Sequence, residues 1–194
     1  MASCNGWGRQ YWKCDVEGGP LTILYKIEPS LSYNQRLIES AMEEIEKHSR
    51  IEFVERYNQR CYLQITKEDG CYFEGASRCS PRISLGMGCR SFGTVLHELM
   101  HAIGFEHEHN RPDRDTYLII HRENIDPDNM DQFRKLRLNQ YTWNDFEIDF
   151  QSVMMYESYA FSKNGGITIE PRNGRIIGRK ERLSRMDKEK LKWL

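Results

Sequence analysis

The eleven residues from His97 to His107 constrain this chain more than any other stretch. His97 and His101 stand four apart in His97-Glu98-Leu99-Met100-His101. On a helix, positions i and i+4 share one face a turn apart, so the two imidazoles can reach the same metal ion. Glu98 falls one step round the helix, where it can hold a metal-bound water and take its proton. Those five residues alone are only moderately specific, since a solvated histidine pair reads the same way. The run continues Ala102-Ile103-Gly104-Phe105-Glu106-His107, completing H-E-x-x-H-x-x-G-x-x-H. Gly104 has a physical task there, because the chain must turn sharply after the helix and glycine accepts φ > 0 at little steric cost. The turn brings His107 back as a third ligand. Three protein ligands leave a coordination position open, which is the arrangement of catalytic rather than structural zinc.

The rest of the chain must provide a frame for that helix. At 194 residues it is long enough for one sizeable core or two lobes sharing a cleft. A net charge of -1 argues against a general nucleic-acid binder, and no apolar run approaches a membrane span. The N-terminus Met1-Ala2-Ser3-Cys4 has no signal-peptide pattern, so targeting and any pro-segment are expected outside these residues. Six cysteines, at 4, 14, 61, 71, 79 and 89, favour disulfides and an oxidising compartment. No pair has the C-x-x-C spacing of a thiolate zinc site. Sequence alone does not choose among the possible pairings. There is no N-x-S/T sequon.

Periodicity supplies a coarse layout. Leu21 to Ile27 reads as a strand after the Gly18-Gly19-Pro20 turn. Ser32 and Gln35 resemble a capping box for a helix carrying Leu37, Ile38, Ala41, Met42 and Ile45 to about Lys47. Short strands are expected at 51–54, 62–66 and 82–85, broken by Asp69-Gly70 and Pro81. Ser91 is placed to cap a helix from Phe92 to Ile103. Beyond Asp115 the pattern is looser: a helix at 128–136, a loop, and a closing helix after Ser184 capped through Asp187.

The stretch from His97 to Asp115 resembles the signature of the astacins, a family of metzincin zinc peptidases: Phe105, Glu108, Arg111, Asp113, Arg114 and Asp115 all match. Ser152-Val153-Met154-Met155-Tyr156 resembles the family's Met-turn, with Met155 where a histidine is usual. The likeness runs from Trp12 to the last helix, and Arg122-Glu123-Asn124-Ile125 and Asp149-Phe150 look tolloid-like. It implies a single α+β catalytic domain of two lobes. The first, about 1–106, would hold a mixed twisted sheet, helices and the active-site helix; the second, about 107–194, would be irregular with a closing helix. It further implies Met154 as a hydrophobic floor beneath the histidines. Tyr156 would be a further zinc ligand that swings away to stabilise the oxyanion. Glu108 would anchor the freed N-terminus of the mature enzyme, and Arg111, Asp113, Arg114 and Asp115 would form a structural charge network. Cys71 would pair with Cys89; Cys61 with Cys79 and Cys4 with Cys14 are the other expected bridges.

The expected function is a secreted zinc endopeptidase acting on protein or peptide substrates, with one Zn²⁺ per chain and a pro-segment in its precursor. Glu98 would move the proton from water to the leaving amine, and zinc with Tyr156 would stabilise the oxyanion. An extended substrate would pair with an edge strand near Arg82–Leu85. Arg175 and Arg179 could receive an acidic residue after the cut, although solvated loop charges read the same way. A catalytically silent binding module would have lost Glu98 or a histidine, and none is lost.

Overall fold

The computed structural model describes residues 19–75 and 79–194; Cys4 and Cys14, and so their expected bridge, lie outside the described residues. Two compact units are present. One holds the chain up to Phe105 together with Glu181–Leu194, the other Glu106–Lys180.

The first unit is a five-stranded sheet with helices. Its strands are β1 (Leu21–Ile27), β2 (Ile51–Glu55), β3 (Leu63–Thr66), β4 (Cys71–Glu74) and β5 (Arg82–Leu85). Their order is β2-β1-β3-β5-β4; all neighbours are parallel except β4, which runs antiparallel to β5 with Phe73 opposite Ile83. The edge strand is therefore β4, and not 82–85 as the sequence suggests. The short apolar run of β5 (Ile83, Ser84 and Leu85 all buried) reflects that inner place. β4 escapes detection because its residues are only half-buried or exposed and carry no alternation.

Helix α1 (Gln35–Glu46) buries Ile38, Ala41, Met42 and Ile45, the stripe its spacing predicts. Each large apolar side chain so buried contributes roughly 1.5–3 kcal/mol. Its start differs from expectation. Pro29 opens a 3₁₀ turn over Pro29–Asn34, so Ser32 lies inside that turn rather than capping α1, and the Gln35 amide donates to Glu39 Oε1 at 2.7 Å. α1 packs on helix α2 (Phe92–Ala102), whose Val95, Leu96, Leu99 and Met100 are buried. The closing helix α3 (Arg185–Leu191) starts at the predicted box, with reciprocal bonds between Ser184 and Asp187 of 2.8 and 3.0 Å. Disulfides Cys61–Cys79 and Cys71–Cys89 bind the β3–β5 region, matching two of the expected bridges.

The second unit is mostly loops and single 3₁₀ turns around its own core of Leu118, Ile125, Phe133, Ile148, Met155, Ile169 and Ile177. A two-stranded sheet, β6 (Leu118–Ile120) against β7 (Ile169–Pro171), has no counterpart in the sequence reading. Three residues per strand are too few for a period to register. The helix expected at 128–136 is instead a run of 3₁₀ turns over Pro127–Phe133, begun by Asp126 accepting from the Asp128 amide. Asp128, Asn129 and Asp131 are poor helix formers, and Phe133 alone is fully buried, so no apolar stripe rewards a regular helix.

Candidate metal centre and active site

α2 delivers the first part of the site. Ser91 accepts from the Thr94 amide at 3.2 Å, and Glu181 Oε2 accepts from the Gly93 amide at 3.0 Å, so the helix's first donors are satisfied. Its other end is a Schellman motif. Gly104 sits at φ +97°, its N–H donates to His101 O at 3.0 Å, and the Phe105 N–H donates to Met100 O at 3.0 Å. The left-handed residue that motif needs is the glycine singled out in the sequence. The reversal begun there brings the third histidine in: one ligand atom from each of His97, His101 and His107 lies within 4.8 Å of the other two. Among the described residues this is the one group of three or more ligand-type side chains so placed.

The imidazoles are set as donors for a metal. His97 and His101 have ring centroids 4.7 Å apart and are nearly perpendicular. His101 Nδ1 lies 2.8 Å from Phe105 O, and a carbonyl only accepts, so Nδ1 carries the proton and Nε2 keeps its lone pair. His107 Nδ1 lies 3.2 Å from Asn110 Oδ1, and the Asn110 amide nitrogen donates to Gln132 O and Arg134 O, both at 2.8 Å. Asn110 thus aims its oxygen at the histidine and fixes that tautomer too. The sequence reading misses Asn110; its offset of three from His107, closed by a 3₁₀ turn, is the available signal.

Glu98 is buried at 4% exposure, and its Oε2 has no hydrogen-bond partner among the described residues. Burial pushes its carboxyl up to about 8, while a dication alongside acts in the opposite sense. Three neutral imidazoles beside an unsatisfied buried carboxylate are a donor set that fits a zinc ion.

The second unit arranges the remaining predicted residues around His107. Met154, fully buried, accepts at its carbonyl from the Glu108 amide at 3.0 Å, and its own N–H donates to Ser152 Oγ at 3.0 Å. Tyr156 stands with its ring centroid 4.4 Å from that of His107 and stacked on His109 at 4.1 Å. His109, to which the sequence assigns no role, is fully buried with Nε2 3.0 Å from Gln132 O.

Glu108 is buried and accepts from Tyr141 Oη at 2.8 Å and from the Asp149 amide at 3.1 Å. Arg111 is equally buried and grips Asp113 with two bonds of 2.9 and 3.0 Å, with Glu108 Oε2 at 3.6 Å. Burial opposes its charge, but the Asp113 bond and the surrounding charges of Tyr141, Glu108 and Asp113 hold the guanidinium above its ordinary range. The expected N-terminal partner of Glu108 falls outside the described residues. Arg175 and Arg179 line a cavity of about 480 Å³ with Ile148, Gln151 and Lys180.

A sheet-and-helix unit whose helix leads two of three clustered histidines into a glycine turn defines the class: a zinc metallopeptidase. The comparisons agree. The model of the Astacin peptidase family matches residues 17–194, and the chain belongs to that family of zinc metalloendopeptidases. Astacin-like metalloprotease toxin 1 of Loxosceles intermedia is 45% identical over 145 residues, 73% of this chain and 54% of its own length. Zinc metalloproteinase nas-6 of Caenorhabditis elegans is 38% identical over 183 residues, 92% of this chain and 53% of its own. The chain thus spans about half the length of these relatives. Among solved structures, high choriolytic enzyme 1, a hatching enzyme zinc-protease from Oryzias latipes, superposes with a TM-score of 0.86 at 31% identity, covering 98% of this chain and 96% of that one.

Proposed function

We propose that this chain is the catalytic domain of a secreted zinc endopeptidase, with His97, His101 and His107 as metal ligands, Tyr156 joining them at rest, and Glu98 as the acid–base group. The observation that carries this reading is the cluster of three histidine ligand atoms within 4.8 Å, with Glu98 buried on the helix that bears two of them. Zinc, when bound, supplies Lewis acidity, bringing water's pKa towards neutrality and polarising the scissile carbonyl. Glu98 takes the proton from the attacking water at the Oε2 that lacks a partner, then returns it to the leaving amine. The Tyr156 phenol donates to the developing oxyanion. Met154 braces the His107 turn from below, and Gly104 holds the reversal that brings His107 in.

An extended substrate has β4 as the sheet edge open to pairing, and Arg175 and Arg179 offer charge to an acidic side chain. Two disulfides favour an oxidising compartment, and the similarity to a toxin and a hatching enzyme supports secretion. A pro-segment belongs to the precursor in this reading.

The test is digestion of a denatured protein with and without a chelator, beside Glu98→Ala. Cleavage that the chelator stops, zinc restores and the variant lacks supports the assignment. Cleavage indifferent to chelator, or an inert protein carrying one zinc per chain, overturns it.

A further inference from the structure

Away from the histidines, the second unit gathers positive charge around a cavity of about 460 Å³. Arg114, Arg122, Arg134, Lys135 and Arg172 line it, against the carboxylates of Asp115 and Asp131. That excess stands out in a chain whose net charge is -1. One carboxylate is already engaged: Arg114 Nε lies 3.2 Å from Asp115 Oδ1, and Lys135 Nζ lies 2.5 Å from Asp115 Oδ2. Arg122, Arg134 and Arg172 form no ion pair among the described residues. Arg172 Nε donates only to the Asp115 carbonyl, at 3.0 Å, and Arg122 Nη1 faces Met130 Sδ at 3.6 Å.

Three separate segments bring these guanidiniums together: the turn after β6, the end of the Pro127–Phe133 turns, and the residue following β7. Arg114 anchors the inner wall, buried at 2% exposure with Nη1 donating to His109 O at 2.8 Å. Burial holds its guanidinium below the ordinary range, and the like charge of Arg122 adds to this despite Asp115. An anion placed in the cavity relieves that repulsion.

We propose that this cavity binds the sulfate groups of an anionic polysaccharide. A tetrahedral oxyanion can take several planar guanidinium forks at once, which suits three arginines without ion pairs better than it would lysines. Partly exposed Ile119 and Met130 on the same wall give the C–H face of a sugar ring an apolar surface. The two disulfides favour an oxidising compartment, where sulfated sugars rather than nucleic acids are the tetrahedral-oxyanion polymers at hand. The inference is independent of the catalytic reading, because its readout is binding.

The test measures affinity of the whole chain for heparin at about 0.15 M salt, beside desulfated heparin and polyglutamate. The triple variant Arg122→Ser/Arg134→Ser/Arg172→Ser is compared with Arg36→Ser/Arg182→Ser/Arg185→Ser, which removes as many exposed charges elsewhere. Circular dichroism checks that each is folded. The cavity triple is expected to weaken heparin binding roughly tenfold or more, the control less than about twofold, with a shallower salt dependence in the cavity triple alone. Arg134→Ser, whose side chain has no ion pair to lose among the described residues, provides a single change of about threefold should the triple misfold. Equal losses in both triples, or no heparin binding, overturn the proposal. Polyglutamate binding as tightly as heparin also overturns it, in favour of an acidic protein segment.

Discussion

Replacing Arg111 by methionine tests whether the buried charge network holds the second unit together. Its Nη2 donates to Phe146 O at 2.7 Å, besides the two bonds to Asp113 and the longer contact with Glu108. These partners are not equal. The Asp113 side chain is 42% exposed, so that pair is screened and contributes at most about 1 kcal/mol. Glu108 is 2% exposed, and without Arg111 its carboxylate keeps the Tyr141 and Asp149 bonds but loses its nearest cation. Stranding a buried charge costs about 3–5 kcal/mol, and the orphaned Phe146 carbonyl adds to it. Methionine restores most of the lost volume, so the cavity term stays small.

The assay is urea unfolding of metal-free wild type and variant, both with disulfides intact. A loss of about 3–5 kcal/mol moves the midpoint by roughly 1–2 M. Removing the stranded charge as well, in Arg111→Met/Glu108→Gln, should recover part of the loss. The hydrogen bond from Arg111 holds the Asp113 carboxyl below its usual range, so that contribution exists above the unfolded value near 4 and fades as pH falls through the lower folded value. The gap between wild type and variant should accordingly narrow below about pH 4. A loss under about 1 kcal/mol, or a double variant weaker than the single, refutes the reasoning.

Other sites give further checks. Gly86→Ala puts a Cβ 2.2 Å from the Glu68 carbonyl oxygen, which is backbone and cannot swing away, so thermal unfolding should show a loss of roughly 2 kcal/mol or more. Opening Cys71–Cys89 as a double serine variant frees a link spanning 18 residues and should cost about 3 kcal/mol in denaturant unfolding. His121 is raised by its 2.7 Å bond to Glu170, with Glu123 adding to it, so the linkage is fully present below about pH 6.5 and disappears as pH rises through the higher folded value. His121→Gln should flatten stability between pH 6 and 8 by no more than about 1 kcal/mol. Tyr156→Phe, on the proposed mechanism, lowers kcat by about 10²–10³ with little change in KM; an unchanged kcat would remove the oxyanion role.

The first unit is largely legible in the sequence because its elements announce themselves locally. β1 has the range read from the sequence, Leu21–Ile27, and α1 follows its apolar stripe closely. What fails there is neighbourhood. Nothing within Arg82–Leu85 says that β4 will add outside it, because strand order is decided by pairing between distant residues. The second unit resists for a different reason. Its core takes one residue from each of many short segments, Ile125, Phe133, Ile148 and Ile177 among them. Single anchors leave no period to detect, and the helix wrongly expected at 128–136 shows how charged turn residues imitate one.

The histidine cluster escapes this difficulty because it is nearly a local structure. His97 and His101 are fixed by one helical turn, and His107 needs only the reversal that a Schellman motif forces within the next few residues. Eleven consecutive residues therefore encode most of the geometry, and a spacing pattern can carry it. The surrounding support is not local. Asn110 acts on His107 only because Gln132 and Arg134 hold its amide, and the ring of Tyr156 lies on His109, which the Gln132 carbonyl holds in turn. The carbonyls at 132 and 134 belong to the segment whose secondary structure the sequence misrepresents, so the site's outer support is hidden by the same lack of periodicity that hides the fold around it. Substitutions that disturb the 127–134 turns should therefore change how firmly His107 and Tyr156 are held while leaving the three ligands themselves intact.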